Sequence, residues 1–198
     1  MTDYSCMIAV TNRKYFFDRE DPEEAFLRQL KRLFNLNLKA VVLREKDLGP
    51  EEYLELAEKV KELSAEKPQV RLILHRFPEA AEKLGIDAVH LPLQILRELR
   101  EKDPRRLSGF RIIGTSVHSA EEARLAAQCG ATYCFAGNVY QTTCKPGLEG
   151  KGLTYLREVV SAVDIPVYGI GGIHPDRMEE ILETGAAGGC MMSYSMQL

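Results

Sequence analysis

The chain has 198 residues, of which 45% are hydrophobic and 28% charged, a composition typical of one folded domain and not of a disordered chain. Its 26 Lys and Arg residues nearly balance 29 Asp and Glu residues, giving a net charge of −3. No dense basic run is present, so nucleic acid is not expected as the main partner. The cysteines are scattered without a C-x-x-C pair, and neither a signal peptide nor a membrane-length apolar run occurs. The sequence therefore predicts a cytoplasmic protein without a disulfide or zinc framework.

Short apolar segments alternate with charged, helix-patterned segments along the whole chain. The predicted strands are Cys6–Thr11, Lys39–Arg44, Val70–His75, Ala88–Leu91, Arg111–Ser116, Thr132–Ala136, Val167–Ile170 and Gly189–Ser193. Because parallel neighbours need a crossover that a helix usually supplies, this alternation predicts a parallel α/β fold. Eight such strands favour a single-domain (β/α)8 TIM barrel over residues 1–198, with an open doubly wound sheet as the alternative.

The last predicted strand ends close to the last residue, Leu198. We therefore expect the C-terminal eighth helix of the barrel to be short or absent. A homo-oligomer, most simply a two-fold dimer, would then cover the face that this helix leaves open.

Polar side chains follow the second, third and fifth strands, and the active sites of parallel barrels lie at these carboxyl ends. Arg44 and Lys46 alternate after the second strand, a spacing that allows both to point toward the barrel mouth; a solvated run of charges is the alternative interpretation. His75 ends the third strand and is a candidate acid or base. Ser116 ends the fifth strand and His118 follows it; a helix cap beside a surface histidine is the alternative interpretation of this pair.

Two later segments are candidates for binding an anion. The loop over 138–152 is long, polar and rich in glycine, and its Thr142 and Lys145 are placed to bind an anionic substrate. A surface loop without a ligand is the alternative. The turn at Gly171-Gly172 leads toward a predicted helix, and such a turn lets backbone N–H groups approach a phosphate. Ser193, at the end of the eighth strand, adds a hydroxyl group beside it.

Six segments together resemble the thiamine phosphate synthase/TenI superfamily of phosphate-binding barrels. They are VTNRK at 10–14, VVLREKDL at 41–48, DAVHL at 87–91, IIGTSVHSAEEA at 112–123, GNVYQTTCKPGLEGKGL at 137–153 and IPVYGIGGIHPDRM at 165–178. Their order and spacing match over almost the whole chain. The resemblance implies three groups of ligand-binding residues: Ser116, Thr142 and Lys145 in the pocket, Gly171, Gly172 and Ser193 at the phosphate, and Arg44 and Lys46 at the entrance.

Within this superfamily, synthases join a pyrimidine pyrophosphate to a thiazole phosphate with Mg²⁺, whereas TenI-type proteins are thiazole tautomerases that need no metal. The synthase pattern has a Gln near the end of the second strand, where this chain has Val42. It also has metal-binding carboxylates after the third and fourth strands, where this chain has His75-Arg76 and Gln94-Ile95. Since Mg²⁺ prefers oxygen ligands, carboxylates above all, no metal and no organic cofactor is expected.

The histidine that TenI-type tautomerases use after the sixth strand is replaced by Asn138, and an amide exchanges no proton near neutral pH. Asn138 is therefore expected to orient a group or donate a hydrogen bond. We hypothesise that His75 supplies the imidazole, with Lys145 as the second candidate. Cys144 is expected to be a small polar pocket residue, with a thiol activated by Lys145 as the alternative.

These observations predict an enzyme, a TenI-like thiazole tautomerase (an isomerase) of thiamine biosynthesis. It would aromatise a carboxythiazole phosphate by general acid/base proton transfer. A catalytically silent or regulatory protein that binds a phosphorylated heterocycle is the first alternative. A divergent thiamine phosphate synthase is the second.

Overall fold

The computed structural model describes residues 3–142 and 147–198, and its centre is a closed barrel of eight parallel strands. The strands are β1 (Met7–Val10), β2 (Ala40–Leu43), β3 (Arg71–His75), β4 (Ala88–Leu91), β5 (Ile112–Val117), β6 (Tyr133–Gly137), β7 (Val167–Ile170) and β8 (Gly188–Met191). β1 closes the ring by pairing in parallel with β8, with Ile8 opposite Cys190. The predicted (β/α)8 barrel is confirmed, and the open-sheet alternative is wrong.

Helices connect the strands on the outside of the barrel. They are α1 (Pro22–Phe34), α2 (Pro50–Ala65), α3 (Pro78–Leu84), α4 (Leu93–Lys102), α5 (Pro104–Leu107), α6 (Ala120–Gln128), α7 (Gly152–Val160) and α8 (Met178–Leu182), with 3₁₀ turns at Arg13–Phe16 and Pro175–Arg177. Proline begins α1 and α2 and two glutamates follow it in each, because the fixed φ and missing N–H of proline suit a first helical turn. The Ser119 hydroxyl caps α6 by accepting a hydrogen bond from the Glu122 backbone N–H, 3.2 Å away.

Side chains from alternate strand positions fill the inside of the barrel. Branched, aromatic and small residues form this interior layer: Ile8, Val10, Ala40, Val42, Ile73, Ala88, Tyr133, Phe135, Tyr168 and Cys190. The opposite faces of the strands pack against the helices. Because the interior is filled by side chains, a ligand site has to lie at an end of the barrel rather than through it.

The segment after β8 covers part of the barrel without forming a helix. Residues 193–196 make a turn, and no helix follows β8 in the described residues 192–198. Ser195 and Met196 are buried, and the Gln29 side-chain amide of α1 donates to the Ser195 carbonyl oxygen over 2.8 Å. The expectation that the eighth helix is short or absent is confirmed. Because the chain itself covers part of the face that suggested a dimer, dimerisation stays a prediction.

None of the described helices is long and apolar enough to cross a lipid bilayer.

One buried side chain of α2 ties two strand ends together beneath the barrel mouth. The Tyr53 hydroxyl donates to the Leu43 carbonyl oxygen over 2.6 Å and accepts from the His75 backbone N–H over 2.8 Å. The side chain of Tyr53 is fully buried, so these two backbone groups depend on it for their hydrogen bonds.

We expect the Tyr53→Phe variant to be less stable than the wild type by roughly 1–3 kcal/mol, because it leaves buried backbone groups without a partner. Urea unfolding followed by circular dichroism measures this difference. Tyr15→Phe, in which the ring is only partly buried, is the matched control. Equal midpoints and slopes for the Tyr53→Phe and wild-type proteins would contradict the proposed tie.

Candidate functional site

A cavity of about 950 Å³ opens at the carboxyl ends of the barrel strands. The predicted site residues that the structure describes all line it: Arg44, Lys46, His75, Ser116, Asn138, Thr142, Gly171, Gly172 and Ser193. Cys144 and Lys145 lie outside the described residues. The structure therefore brings together residues from six different strand ends, while their individual roles stay predictions.

One side of the cavity is cationic because side chains alternate after β2. Arg44 and Lys46 line the cavity, whereas Glu45 between them is buried and accepts hydrogen bonds from the Thr11 hydroxyl and from the Arg13 backbone N–H. The Thr11 hydroxyl also accepts from the Arg44 backbone N–H over 2.9 Å. Burial raises the pKa of the Glu45 carboxyl to about 7. The alternation thus places two cations at the ligand side and holds the carboxyl beneath them.

Two histidines on neighbouring strands lie side by side in the floor of the cavity. His75 of β3 and His90 of β4 pair in register, and their rings stack with centroids 5.9 Å apart. Burial, reinforced by Arg44, Lys46 and Arg76, lowers the pKa of His75 to about 3. Burial, with the nearby His75 and Arg44, also holds the pKa of His90 well below its ordinary value. Both imidazoles are therefore neutral near pH 7.

His90 is a residue that the sequence analysis did not select. Its Nδ1 lies 3.0 Å from the Tyr133 hydroxyl and its Nε2 lies 3.0 Å from the Ser116 hydroxyl. Its position near the end of β4 was the available signal, since strand-end histidines were considered elsewhere in the chain. The two hydrogen bonds connect residues distant in sequence and were not visible in any local pattern.

The rim of the cavity carries a second kind of histidine. His118 Nδ1 lies 3.2 Å from the Glu122 carboxylate, which also accepts from the His118 backbone N–H over 2.6 Å. The His118 side chain is 50% exposed, so solvent reaches this pair. Both interpretations of the segment fit this geometry, since Ser119 caps α6 while the His118 ring lines the cavity.

Asn138 organises the loop that follows β6. Its side-chain amide donates to the carbonyl oxygens of Tyr140 and Glu149, each 3.3 Å away. Gly171 lies against Asn138 so closely that an added Cβ would come within 2.6 Å of the Asn138 Cβ. The amide therefore holds backbone groups in place, and glycine is needed where the two loops meet.

The segment after Gly172 differs from the expected helix start. A 3₁₀ turn at Pro175–Arg177 comes first, and α8 has only five residues. The predicted helix therefore begins only at Met178, six residues after Gly172. Phosphate binding by this turn stays a prediction that rests on the backbone N–H groups and Ser193.

The lining does not suit a hard divalent cation. Among the described residues around the cavity, Glu122 is the only carboxylate, and Arg44, Lys46 and Arg76 are cationic. The described part of the chain holds no group of three or more His, Cys, Asp or Glu side chains placed to bind a metal ion. Mg²⁺ prefers carboxylate and other oxygen ligands, so this donor set does not fit it.

Comparison with known proteins gives a consistent result. Residues 8–194 match the family model TMP-TENI, described as thiamine monophosphate synthase. The chain is 33% identical to the thiamine-phosphate synthase of Clostridium acetobutylicum over 191 residues, covering 94% of this chain and 84% of that protein. It is 35% identical to the thiamine-phosphate synthase of Desulfitobacterium hafniense over 174 residues, covering 85% and 80%. The solved structure of thiamine phosphate pyrophosphorylase from Pyrococcus furiosus superimposes with a TM-score of 0.79 at 27% identity, covering 100% of this chain and 90% of that one.

The low pKa of His75 predicts a specific dependence of stability on pH. The unfolded chain binds a proton at this residue below about pH 6.5, whereas the folded protein binds it only near pH 3. Stability is therefore lost as the pH falls from 6.5 toward 3, and this one residue costs about 2 kcal/mol between pH 7 and pH 5.

The wild type is expected to lose stability between pH 7 and pH 5, and in His75→Gln we expect this loss of unfolding free energy to be about 2 kcal/mol smaller. Urea titrations of both proteins at the two pH values measure it. The Glu45 carboxyl, whose raised pKa acts in the opposite direction, is present in both proteins and cancels in the comparison. An NMR titration in which the folded His75 ring changes charge near pH 6.5 would refute the prediction.

Proposed function

Because the chain belongs to the thiamine monophosphate synthase (TMP-TENI) family, we propose that its cavity binds a thiazole phosphate and rearranges it by proton transfer. The charge pattern of the cavity is the observation that carries this proposal. Three cationic side chains suit a phosphorylated, carboxylated ligand, while the one carboxylate lining the described cavity, Glu122, is engaged by His118.

Proton transfer asks little of the protein beyond a proton acceptor, a proton donor and a site for the negative charge. A proton leaves one ring carbon, its electron pair is delocalised through the ring, and a proton returns at another atom, so no oxidant or leaving group is involved. The N–H group of His75 and the Ser116 hydroxyl, which both line the cavity, can donate to the negative charge that develops.

The role of His75 as the base depends on the bound ligand. In the unliganded cavity the nearby cations Arg44, Lys46 and Arg76 contribute to its low pKa. A bound dianion offsets their repulsion and raises the proton affinity of the ring. Proton transfer through His75 is therefore favoured when the ligand is present, and Asn138 has no part in it beyond positioning the loop.

Thiamine phosphate synthase activity is the second candidate, because the relatives carry that name. In that reaction the pyrimidine would form a bond to the thiazole phosphate as its own bond to pyrophosphate breaks and pyrophosphate departs. The described lining lacks the carboxylates that would hold Mg²⁺, so we rank this activity second. A protein that binds the heterocycle without turnover is the third candidate, and localisation in the cytoplasm remains a prediction for all three.

We expect the purified protein to convert the non-aromatic carboxythiazole phosphate to its aromatic isomer in EDTA, followed by NMR. His75→Gln is expected to lower kcat by roughly 100-fold, the usual contribution of one acid or base. Arg71→Gln, at the opposite end of the same strand, is the matched control and should keep wild-type turnover. Undiminished turnover of His75→Gln would remove His75 from the mechanism.

Two further reactions separate the remaining candidates. The first mixes the protein with the pyrimidine pyrophosphate and the thiazole phosphate. Formation of thiamine phosphate only when Mg²⁺ is added would establish the synthase activity and overturn the tautomerase activity. Calorimetric binding of the thiazole phosphate without either conversion would establish a binding protein.

A further inference from the structure

Three polar side chains form a hydrogen-bonded chain that leads from the barrel interior to the cavity. The Tyr133 hydroxyl meets His90 Nδ1 and the Ser116 hydroxyl meets His90 Nε2, both at 3.0 Å. Tyr133 and His90 are buried, and Ser116 lines the cavity. The chain therefore ends on a group that a ligand can touch.

The direction of this hydrogen-bonded chain follows from its buried end. Burial raises the pKa of the Tyr133 phenol well above its ordinary value, so the hydroxyl keeps its proton. A buried hydroxyl proton needs an acceptor, and His90 Nδ1 lies within reach. Nδ1 thus accepts, and the single proton of the neutral ring sits on Nε2. Nε2 then donates to the Ser116 oxygen.

A glycine makes the contact between Tyr133 and His90 possible. β5 lies between β4 and β6, and its Gly114 stands in register with His90 on one side and Tyr133 on the other. A Cβ at Gly114 would come within 2.0 Å of the Tyr133 ring and 2.3 Å of its hydroxyl oxygen. The missing side chain opens the space through which Tyr133 crosses β5 to reach His90.

From this geometry we propose that Tyr133 and His90 are positioning residues that make Ser116 a hydrogen-bond donor toward the ligand. His90 fills one of the two acceptor positions of the Ser116 oxygen, and the hydroxyl proton, which cannot point at the donating Nε2–H, is then directed into the cavity that Ser116 lines. It therefore selects a ligand that presents an acceptor at this point, such as a carboxylate oxygen or an unprotonated ring nitrogen. This selection deepens, and rests on, the proposed binding of a carboxylated heterocycle.

The same direction excludes a nucleophilic serine. In a catalytic triad the third group accepts a hydrogen bond from the histidine and stabilises its protonated form. Tyr133 instead donates to the histidine, and the buried ring disfavours a positive charge. His90 is thus arranged to orient the Ser116 hydroxyl rather than to remove its proton.

The first test needs no ligand. Nitrogen-15 NMR of histidine-labelled protein is expected to show His90 protonated at Nε2 alone in the wild type. In Tyr133→Phe we expect a mixture with the Nδ1-protonated form. Tyr168→Phe removes a hydroxyl from the same interior layer and is the matched control, expected to keep the wild-type signal. An Nδ1-protonated His90 in the wild type would overturn the proposal.

The second test measures the consequence for the ligand with thiazole carboxylate phosphate as the probe. Ser116→Ala is expected to weaken binding roughly tenfold, the usual effect of one hydrogen bond, and Tyr133→Phe by a smaller factor. In the protein that carries both Ser116→Ala and Tyr133→Phe, binding should be as weak as in Ser116→Ala alone, because Tyr133 acts only through Ser116. Additive losses of binding free energy would overturn the proposal.

If the wild type neither binds nor converts the probe, the proposed function fails, while the NMR result still decides the direction of the hydrogen bonds.

Discussion

Closure of the eight parallel strands is the constraint on which the cavity depends. Because all eight strands run parallel, their carboxyl ends lie on the same side, and the pairing of β1 with β8 joins these ends into one rim. The interior layer below this rim is filled by side chains, so the last inward position of each strand is the first that a ligand can meet. His75, His90 and Ser116 are such positions. Chemistry that is spread over much of the chain is thereby gathered into one site.

The charge of the cavity bears on the choice between the two enzyme activities proposed above. The rim places Arg44, Lys46 and Arg76 around the cavity, while alternation directs the Glu45 carboxyl away from it. Two desolvated imidazoles then form the floor without adding positive charge. This charge pattern suits the anionic ligand that we propose. The names of the relatives favour the synthase, and the described lining favours a reaction without a bound cation.

The sequence predicted what local patterns and family motifs encode. Strand alternation identified the barrel, and the strand-end rule together with the motifs selected residues that the structure gathers into one cavity. It missed His90 and Tyr133 because their contact depends on the register of β4, β5 and β6, which no short segment specifies. It also predicted that the turn at Gly171-Gly172 leads toward a helix, where the chain forms a 3₁₀ turn before α8 begins. The motif around Asn138 likewise did not predict its hydrogen bonds to the carbonyl oxygens of Tyr140 and Glu149.

The space at Gly114 links the evolution of two positions that lie 19 residues apart in the chain. Any side chain at 114 would occupy the volume now taken by the Tyr133 ring, so position 114 cannot gain a side chain while residue 133 is a tyrosine. A descendant that gained a methyl group at 114 would first have to shorten residue 133. That change would remove the hydrogen bond that keeps the His90 proton on Nε2. The ligand preference proposed for Ser116 would be lost with it. Evolution can thus alter the ligand preference of this barrel by changing the size of residues 114 and 133, neither of which lines the cavity.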